Sequence, residues 1–355
     1  MPRTGGYLLE DLKTMTDINV FDFGERTLAD ALEAELAAHE RKLQEMTSSL
    51  MEPTTERIFT YGMNQDSGEL MDADEFLRAP ARRVEEAGGT FNLPMQRFQD
   101  ALNWTKDYLY RASVAKIANQ VEAIEIRDVR TVYGLTRRAL FVPTNYTVRD
   151  VTVDYATLNI KRLVNGDGMT IPNGPEGQAF NAGSHTHYLG SATWTNGAVD
   201  ASLDTVREHG YRQNLVININ ATNRGDISGL SKFTPLSAPA LVYGDGVTRA
   251  AATLDTTAPD DNRFIGVWDG IYQVWTKPWV PAGYSYTYDI SGPKPLRLRE
   301  PVEPELRGLR IIAEVDAQPL RAERYEKRVG VAVAERLNGA VTYFGNSTYT
   351  APTGI

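Results

Sequence analysis

Apolar positions along the chain fall into a helical rhythm only after a stretch with no period. Residues 1–25 are of mixed polarity, carry glycines at Gly5, Gly6 and Gly24, and read as an extended arm. Over 27–50, Leu28, Leu32, Leu36, Leu43, Met46 and Leu50 recur at spacings of three, four and seven, drawing one apolar stripe along an otherwise charged helix. Thr27 with Asp30 three positions later has the form of a capping box, with Asp in place of the stronger partner Glu. The stripe suits either a local core seam or a docking face for another chain. Pro53 stops the helix. A polar hairpin follows over 54–80, with a β-rich run 58–61, a turn at 64–68 and a return from Leu70 to Phe76. Two strands with so few apolar residues build no core alone, so they form a loop or a limb folded against a neighbouring subunit.

Asn92 and Pro94 mark a second helix start. Met95, Phe98, Leu102, Thr105, Leu109 and Ala112 then step three, four, three, four, three, and the helix is expected to run to about Asn119. Its length of about 39 Å exceeds the usual helix of about 11 to 12 residues. From Val121 the pattern turns to β, with strands expected at 121–126, 138–142 and 151–155 and with Pro143 and Asn145 between two of them. Residues 165–198 are rich in Gly, Asn, Thr and Pro and read as a loop with a domain crossing near its end. A short amphipathic helix at 199–209 and a buried strand at 215–219 suggest an α/β layer. After a loop-rich stretch to Asn262 come two aromatic β segments, 264–275 bent at Asp269-Gly270 and 279–289, then β runs at 310–315, 328–334 and 340–344. No repeat of 20 to 50 residues is visible. The result is an α+β chain in two regions, 85–198 joined by 305–349, with 199–304 inserted.

Composition narrows the chemistry. Among 355 residues there is no cysteine, which excludes disulfides and thiolate metal sites. Hydrophobic residues at 42% and charged residues at 23% suit a globular protein rather than disorder. No run approaches the roughly 18 apolar residues that cross a bilayer, and residues 1–10 hold no signal-like apolar stretch. The sequons at Asn145, Asn220 and Asn346 therefore read as chance matches. A net charge of −9 disfavours direct wrapping of a polyphosphate, although an acidic wall can enclose packed nucleic acid without binding it.

Enzyme motifs are sought without success. His185 and His187 form a His-x-His pair, but a metal site would need a nearby Glu and a third His. The other histidines, His39 and His209, lie far away in sequence, so loop hydrogen bonding is the expectation. The glycines of 166–168 and 244–246 are not followed by Lys-Ser/Thr and read as turns. Asp255, Asp260, Asp261 and Asp269 lack the spacing of a calcium loop. There is no Gly-x-Ser-x-Gly elbow, and no carboxylate pair stands out, which leaves an unrecognised hydrolase as a remote alternative. Basic clusters at Arg137-Arg138 and at Arg297 and Arg299 lack interleaved aromatics and suit solvated faces or subunit salt bridges.

Four phrases then carry a resemblance: Ser184-His-Thr-His-Tyr-Leu; Val206-Arg-Glu-His-Gly-Tyr; Asp269-Gly270 leading into Trp279-Val-Pro-Ala-Gly-Tyr; and the run from Tyr325-Glu-Lys-Arg-Val-Gly to Asn338-Gly-Ala. With the order of elements over about 25–349, they resemble the major capsid proteins of tailed phages, the Hong Kong 97-like fold, as found in actinobacterial siphophages. The resemblance implies an N-terminal arm with an amphipathic helix (1–51), an extended hairpin loop (52–82), a spine helix (93–120) with a peripheral domain (83–198, completed by 305–355) and an axial domain (199–304). It implies hexamers and pentamers of an icosahedral shell enclosing double-stranded DNA without sequence-specific binding, with no enzymatic activity, cofactor, metal or membrane contact. Ile58, Phe59, Tyr61, Leu70 and Phe76 of the hairpin, and Leu32, Leu36 and Leu43 of the stripe, are the expected inter-subunit contacts. Implied partners are a portal at one vertex, a separate scaffold protein and a possible decoration protein. A scaffold or a removed segment is expected because only about 50 residues precede the hairpin. No lysine lies between Leu43 and Thr105, so the loop-lysine isopeptide weld of some members is not expected. An encapsulin-type compartment shell shares the fold and remains the alternative.

Overall fold

The computed structural model describes residues 7–64, 86–150, 156–236, 262–317 and 320–354. Over its described part the N-terminal segment is helical, where an extended arm was expected. Short helices α1 (Leu9–Thr14) and α2 (Val20–Phe23) precede α3 (Glu25–Thr47), and Asn19 caps α2 by accepting from the Asp22 backbone N–H. The segment folds back because Leu9, Leu12 and Val20 have apolar partners, packing with Val114, Ile117 and Val121. α3 starts two residues before Thr27, after Gly24 at φ 96°, and no side chain caps it, so the expected Thr27–Asp30 box is not its start. The apolar stripe of α3 faces the protein's own interior: Leu28 and Leu32 join that cluster, Leu36 meets Ile124 and Tyr325, and Leu43 is buried. Of the two readings of the stripe, the core seam is the one realised within the chain. Pro53 ends nothing: the helix stops at Thr47, and Pro53 lies in strand β1 (Met51–Thr54) at a sheet edge, where a missing N–H is tolerated.

The hairpin is longer than expected. Strand β2 (Ile58–Asn64) pairs antiparallel with β3 (Glu86–Asn92), so the return strand is 86–92 and not the run from Leu70 to Phe76. That run, and the turn beyond Asn64, lie outside the described residues.

The expected spine helix is displaced. Residues Gln96–Thr105 form strand β4, followed by the short α4 (Lys106–Arg111) and then by the long helix α5 (Val114–Phe141). In β4 the more buried positions are Gln96, Phe98, Asp100, Leu102 and Trp104, a period of two. Phe98 and Leu102 fit helical and strand periods alike, which misled the sequence reading. The β expected at 121–126 and 138–142 lies in or at the end of α5. Val121, Ile124 and Ile126 suggest a strand by residue type, and the helical stripe is interrupted by charge, because Glu125 and Asp128 sit on its buried side.

Strands β5 (Tyr146–Arg149) and β6 (Thr157–Ile160) form a small ladder, while the strand expected at 151–155 lies outside the described residues. Beyond the loop come β7 (Tyr188–Ser191), α6 (Asn196–Arg207), β8 (Leu215–Ile219), α7 (Arg224–Ser228) and β9 (Phe233–Pro235). Next are β10 (Arg263–Trp268), β11 (Tyr272–Thr276), β12 (Tyr284–Asp289), β13 (Leu296–Arg299), β14 (Arg310–Ala317), β15 (Leu320–Val333) and β16 (Ala340–Phe344). The turn between β10 and β11 has Asp269 at φ 52° and Gly270 at φ 70°, the paired left-handed conformation that a tight hairpin requires.

Two sheets organise the molecule. A seven-stranded sheet runs β7-β16-β12-β8-β11-β10-β9. One face of β8 (Leu215, Ile217, Ile219) packs under Val199, Leu203 and Val206 of α6, the expected α/β layer. The other face sets Val216, Tyr284, Tyr286 and Tyr288 against Ala139, Leu140 and Phe141 at the end of α5. The second sheet runs β1-β13-β15-β14, with β4 also on β15. No helix among the described residues is long and apolar enough to cross a membrane.

Candidate functional site

The expected contact residues separate into three groups. Ile58, at the base of the hairpin, is 51% exposed. Phe59 is half-buried against Phe91, with the Arg297 guanidinium 5.3 Å from its ring centroid, so it anchors the hairpin root to its own chain. Tyr61 lies within β2, and Leu70 and Phe76 fall outside the described residues. Leu32, Leu36 and Leu43 are the buried core seam of α3. The surface also carries apolar side chains that the sequence reading did not single out. Phe21 and Tyr110 lie side by side, ring centroids 5.5 Å apart, and both are exposed. Ile271, 70% exposed, stands at the tip of the β10–β11 hairpin. Its position directly after Asp269-Gly270 was the available signal.

Buried charges are paired in ways that staple elements together. Lys327 of β15 donates to Glu40 of α3 and Asp128 of α5 at 2.9 Å each, and Asp128 also meets His39 Nε2 at 3.0 Å. Four groups from three elements thus satisfy one another inside the protein, as buried charge requires. Glu326 is held by Arg97, Gln99, Arg310 and Arg328. Burial alone would raise its pKa, but hydrogen bonds from Gln99, Arg97 and Arg328 pull it down to about 2. Arg299 donates to Asp150 at 2.7 Å and to the Leu93 carbonyl, fixing the hairpin root to β13. Glu125 is held differently. One carboxylate oxygen is buried without a hydrogen-bond partner, and burial pushes the group up to about 7. None of these groups is arranged as a nucleophile with its base; Lys327 braces α3, α5 and β15, Glu326 braces β4, β14 and β15, and Arg299 ties β13 to Leu93 and Asp150.

The histidines converge where separation in sequence suggested they would not. His185 and His187 precede β7, while Glu208 and His209 follow α6 at its C-terminal end. Their ligand atoms all lie within 4.8 Å of one another. His209 Nε2 is 3.0 Å from both His185 Nε2 and His187 Nε2, and Glu208 Oε1 is 3.4 Å from His185 Nε2. His187 Nδ1 lies 2.7 Å from the Gly339 carbonyl, the loop hydrogen bond expected of it. Burial depresses all three imidazoles, His209 to about 3, and they stay neutral at ordinary pH. The third His and the Glu missing from the local sequence are supplied by the fold, because the backbone of His187 bonds to Val164 and Val341 and sets the loop beside the end of α6. The only sequence signal was that both histidine phrases occur in one chain with four histidines.

No protein-family model matches the sequence, and no curated protein matches it. Solved structures do. A chain of Mycobacterium phage Patience superposes with a TM-score of 0.67 at 17% identity, covering 99% of this chain and 96% of that one. Looser likenesses include the capsid of an empty GTA particle (15% identity, 84% and 89% covered, TM-score 0.47). Another is the SrpI encapsulin complex of Synechococcus elongatus (12%, 88% and 91%, 0.43).

Proposed function

We propose, for a chain that has the Hong Kong 97-like capsid fold, that it is the major capsid protein of a tailed bacteriophage. The observation that carries this is the end-to-end likeness to the Patience chain, 99% of one and 96% of the other, with no large inserted domain. Three features of the chain support it. Among its described residues the β2–β3 hairpin has a small root cluster around Phe91, and it gains a packing partner when laid over a neighbouring subunit. The adjacent pair Phe21 and Tyr110, and Ile271 on the β10–β11 hairpin, are exposed apolar side chains, as multiple weak contacts in a closed shell need. The acidic balance of −9 suits a wall that encloses DNA without adhering to it.

In this reading residues 199–304, which supply five of the seven strands of the larger sheet, form the axial domain at the hexamer and pentamer axes, and the hairpin and N-terminal segment clasp adjacent subunits. The shell assembles in the host cytoplasm around a scaffold, takes a portal at one vertex, accepts decoration proteins outside and performs no catalysis. Negative-stain electron microscopy of the purified protein, with its light-scattering mass, tests this. Closed particles, or rings of six and five, are expected; DNA inside marks a capsid, whereas a protein cargo marks an encapsulin and overturns the phage assignment. A compact 39.4 kDa monomer with a protected hairpin, even when scaffold is supplied, overturns the shell reading altogether.

A further inference from the structure

The histidine cluster belongs to no assembly contact described above. We propose that His185, His187, His209 and Glu208 form a binding site for one divalent transition-metal ion of the zinc class, tying the end of α6 to the segment before β7.

The geometry argues for an ion at the centre. In tetrahedral zinc coordination, with Zn–N of about 2.0–2.1 Å, neighbouring ligand atoms stand roughly 3.3 Å apart. Three of the six separations, 3.0, 3.0 and 3.4 Å, are of that size; His209 Nε2 and Glu208 Oε1 are 3.9 Å apart, and every pair lies within 4.8 Å, so the ligands need draw in only slightly around an ion. Hydrogen bonding among the rings does not account for them as well. His187 uses Nδ1–H to donate to the Gly339 carbonyl, which leaves a lone pair on its Nε2 pointing at the cluster. His209 Nε2 carries at most one hydrogen, yet two imidazole nitrogens lie 3.0 Å from it. At most one of those approaches is therefore a well-aligned N–H···N hydrogen bond; the other sets lone pair against lone pair, or N–H against N–H where His185 gives its hydrogen to Glu208, and a cation held by three lone pairs removes the mismatch. A metal ion binds through the lone pairs of neutral imidazoles.

The surroundings fit the same role. The Gly339 carbonyl on His187 Nδ1 is the outer-shell partner that fixes a ligating histidine's tautomer and orientation. The last carbonyls of α6, a helix of 12 residues, place partial negative charge beside the site. Phe180 covers it, its ring centroid 4.3 Å from that of His209 and 4.8 Å from that of His185. Glu208, 36% exposed at its side chain, supplies the fourth ligand from the solvent side and leaves an entry path. Arg336, whose charge acts on His187, is already committed to Asp167 and to the Arg162 and Leu163 carbonyls, so its charge is offset locally.

The test uses the full chain purified without a histidine tag and stripped with a chelator. Titration with Zn²⁺ by calorimetry, and with Co²⁺ by visible absorption, is expected to give roughly one ion per chain with a Kd below about 1 μM and a tetrahedral cobalt spectrum. Glu208→Gln, on an exposed side chain, should weaken binding by about tenfold or more and alter the cobalt spectrum. His209→Gln should weaken it further. If His209→Gln fails to fold by circular dichroism, the Glu208 variant and the wild type still decide. Absence of stoichiometric binding by the wild type overturns the proposal. So does binding of unchanged affinity and spectrum in Glu208→Gln or in a folded His209→Gln protein.

Discussion

Lys327 and Glu125 show how the same core treats two buried charges. Lys327 has Glu40 and Asp128 within 2.9 Å, so removing it takes the cation from a buried Asp128, which keeps His39, and from a partly buried Glu40. Lys327→Ala is expected to lower unfolding free energy by about 3–5 kcal/mol in urea titrations. The paired change Lys327→Met with Asp128→Asn should recover part of that loss. Glu125 behaves oppositely. Its folded pKa is raised, so its contribution is fully present below the unfolded value and is lost as pH rises through about 7. Glu125→Gln should therefore raise Tm more at pH 8 than at pH 5, and an equal shift at both would contradict the assignment. Glu326, drawn down to about 2, gives stability that is lost only as pH falls from about 5 towards 2. None of these environments was legible in the sequence, because each joins residues far apart in the chain, as Lys327 joins Asp128. The histidine cluster was half legible: His-x-His is a local pattern, whereas His209 is brought in by the path of α6.

At the level of elements, those whose pattern had a single explanation were read correctly. The strand at 215–219 is buried at every position, and the Asp269-Gly270 hairpin carries its own turn chemistry. Two of the errors fall where two periods fit the same residues, in β4, and where charged residues occupy the buried side, in α5; the helical N-terminal segment was missed because its apolar partners, Val114, Ile117 and Val121, lie about 100 residues on. Two tests belong to this scale. Gly330 of β15 lies so close to the Pro94 carbonyl that an added Cβ would sit 1.8 Å from its oxygen. Gly330→Ala should cost about 4 kcal/mol or more and appear as lost soluble protein or a sharply lowered Tm. Ile58, half exposed on the hairpin, has no such constraint. Ile58→Asp should leave the monomer's unfolding within about 0.5 kcal/mol while cutting the yield of closed particles by about tenfold or more. Unchanged particle yield by electron microscopy would remove the hairpin base from the assembly contacts.

For the whole molecule, −9 charges on each copy repel as copies approach. Raising ionic strength shortens the screening length from about 30 Å at 0.01 M to about 8 Å at 0.15 M. The critical concentration for particle formation, followed by light scattering, is expected to fall over that range; a rise would point to attractive intersubunit ion pairs instead. With no lysine between Leu43 and Thr105, boiled particles should run on denaturing gels as single chains, and a covalent ladder would contradict this.

Strand β15 has a further consequence, for the order in which the chain matures. Its first ten residues pair with β4, so that Thr105 waits for Leu320, about 215 positions later. At a synthesis rate of about 5–20 residues per second, β4 spends roughly 10–40 s on the ribosome without its partner strand. Until then the edge of β4 that β15 fills has no strand partner, although Trp104 and Leu102 can already pack on α1, α3 and α5. The sheet around β4 is therefore closed only when the last tenth of the message has been read.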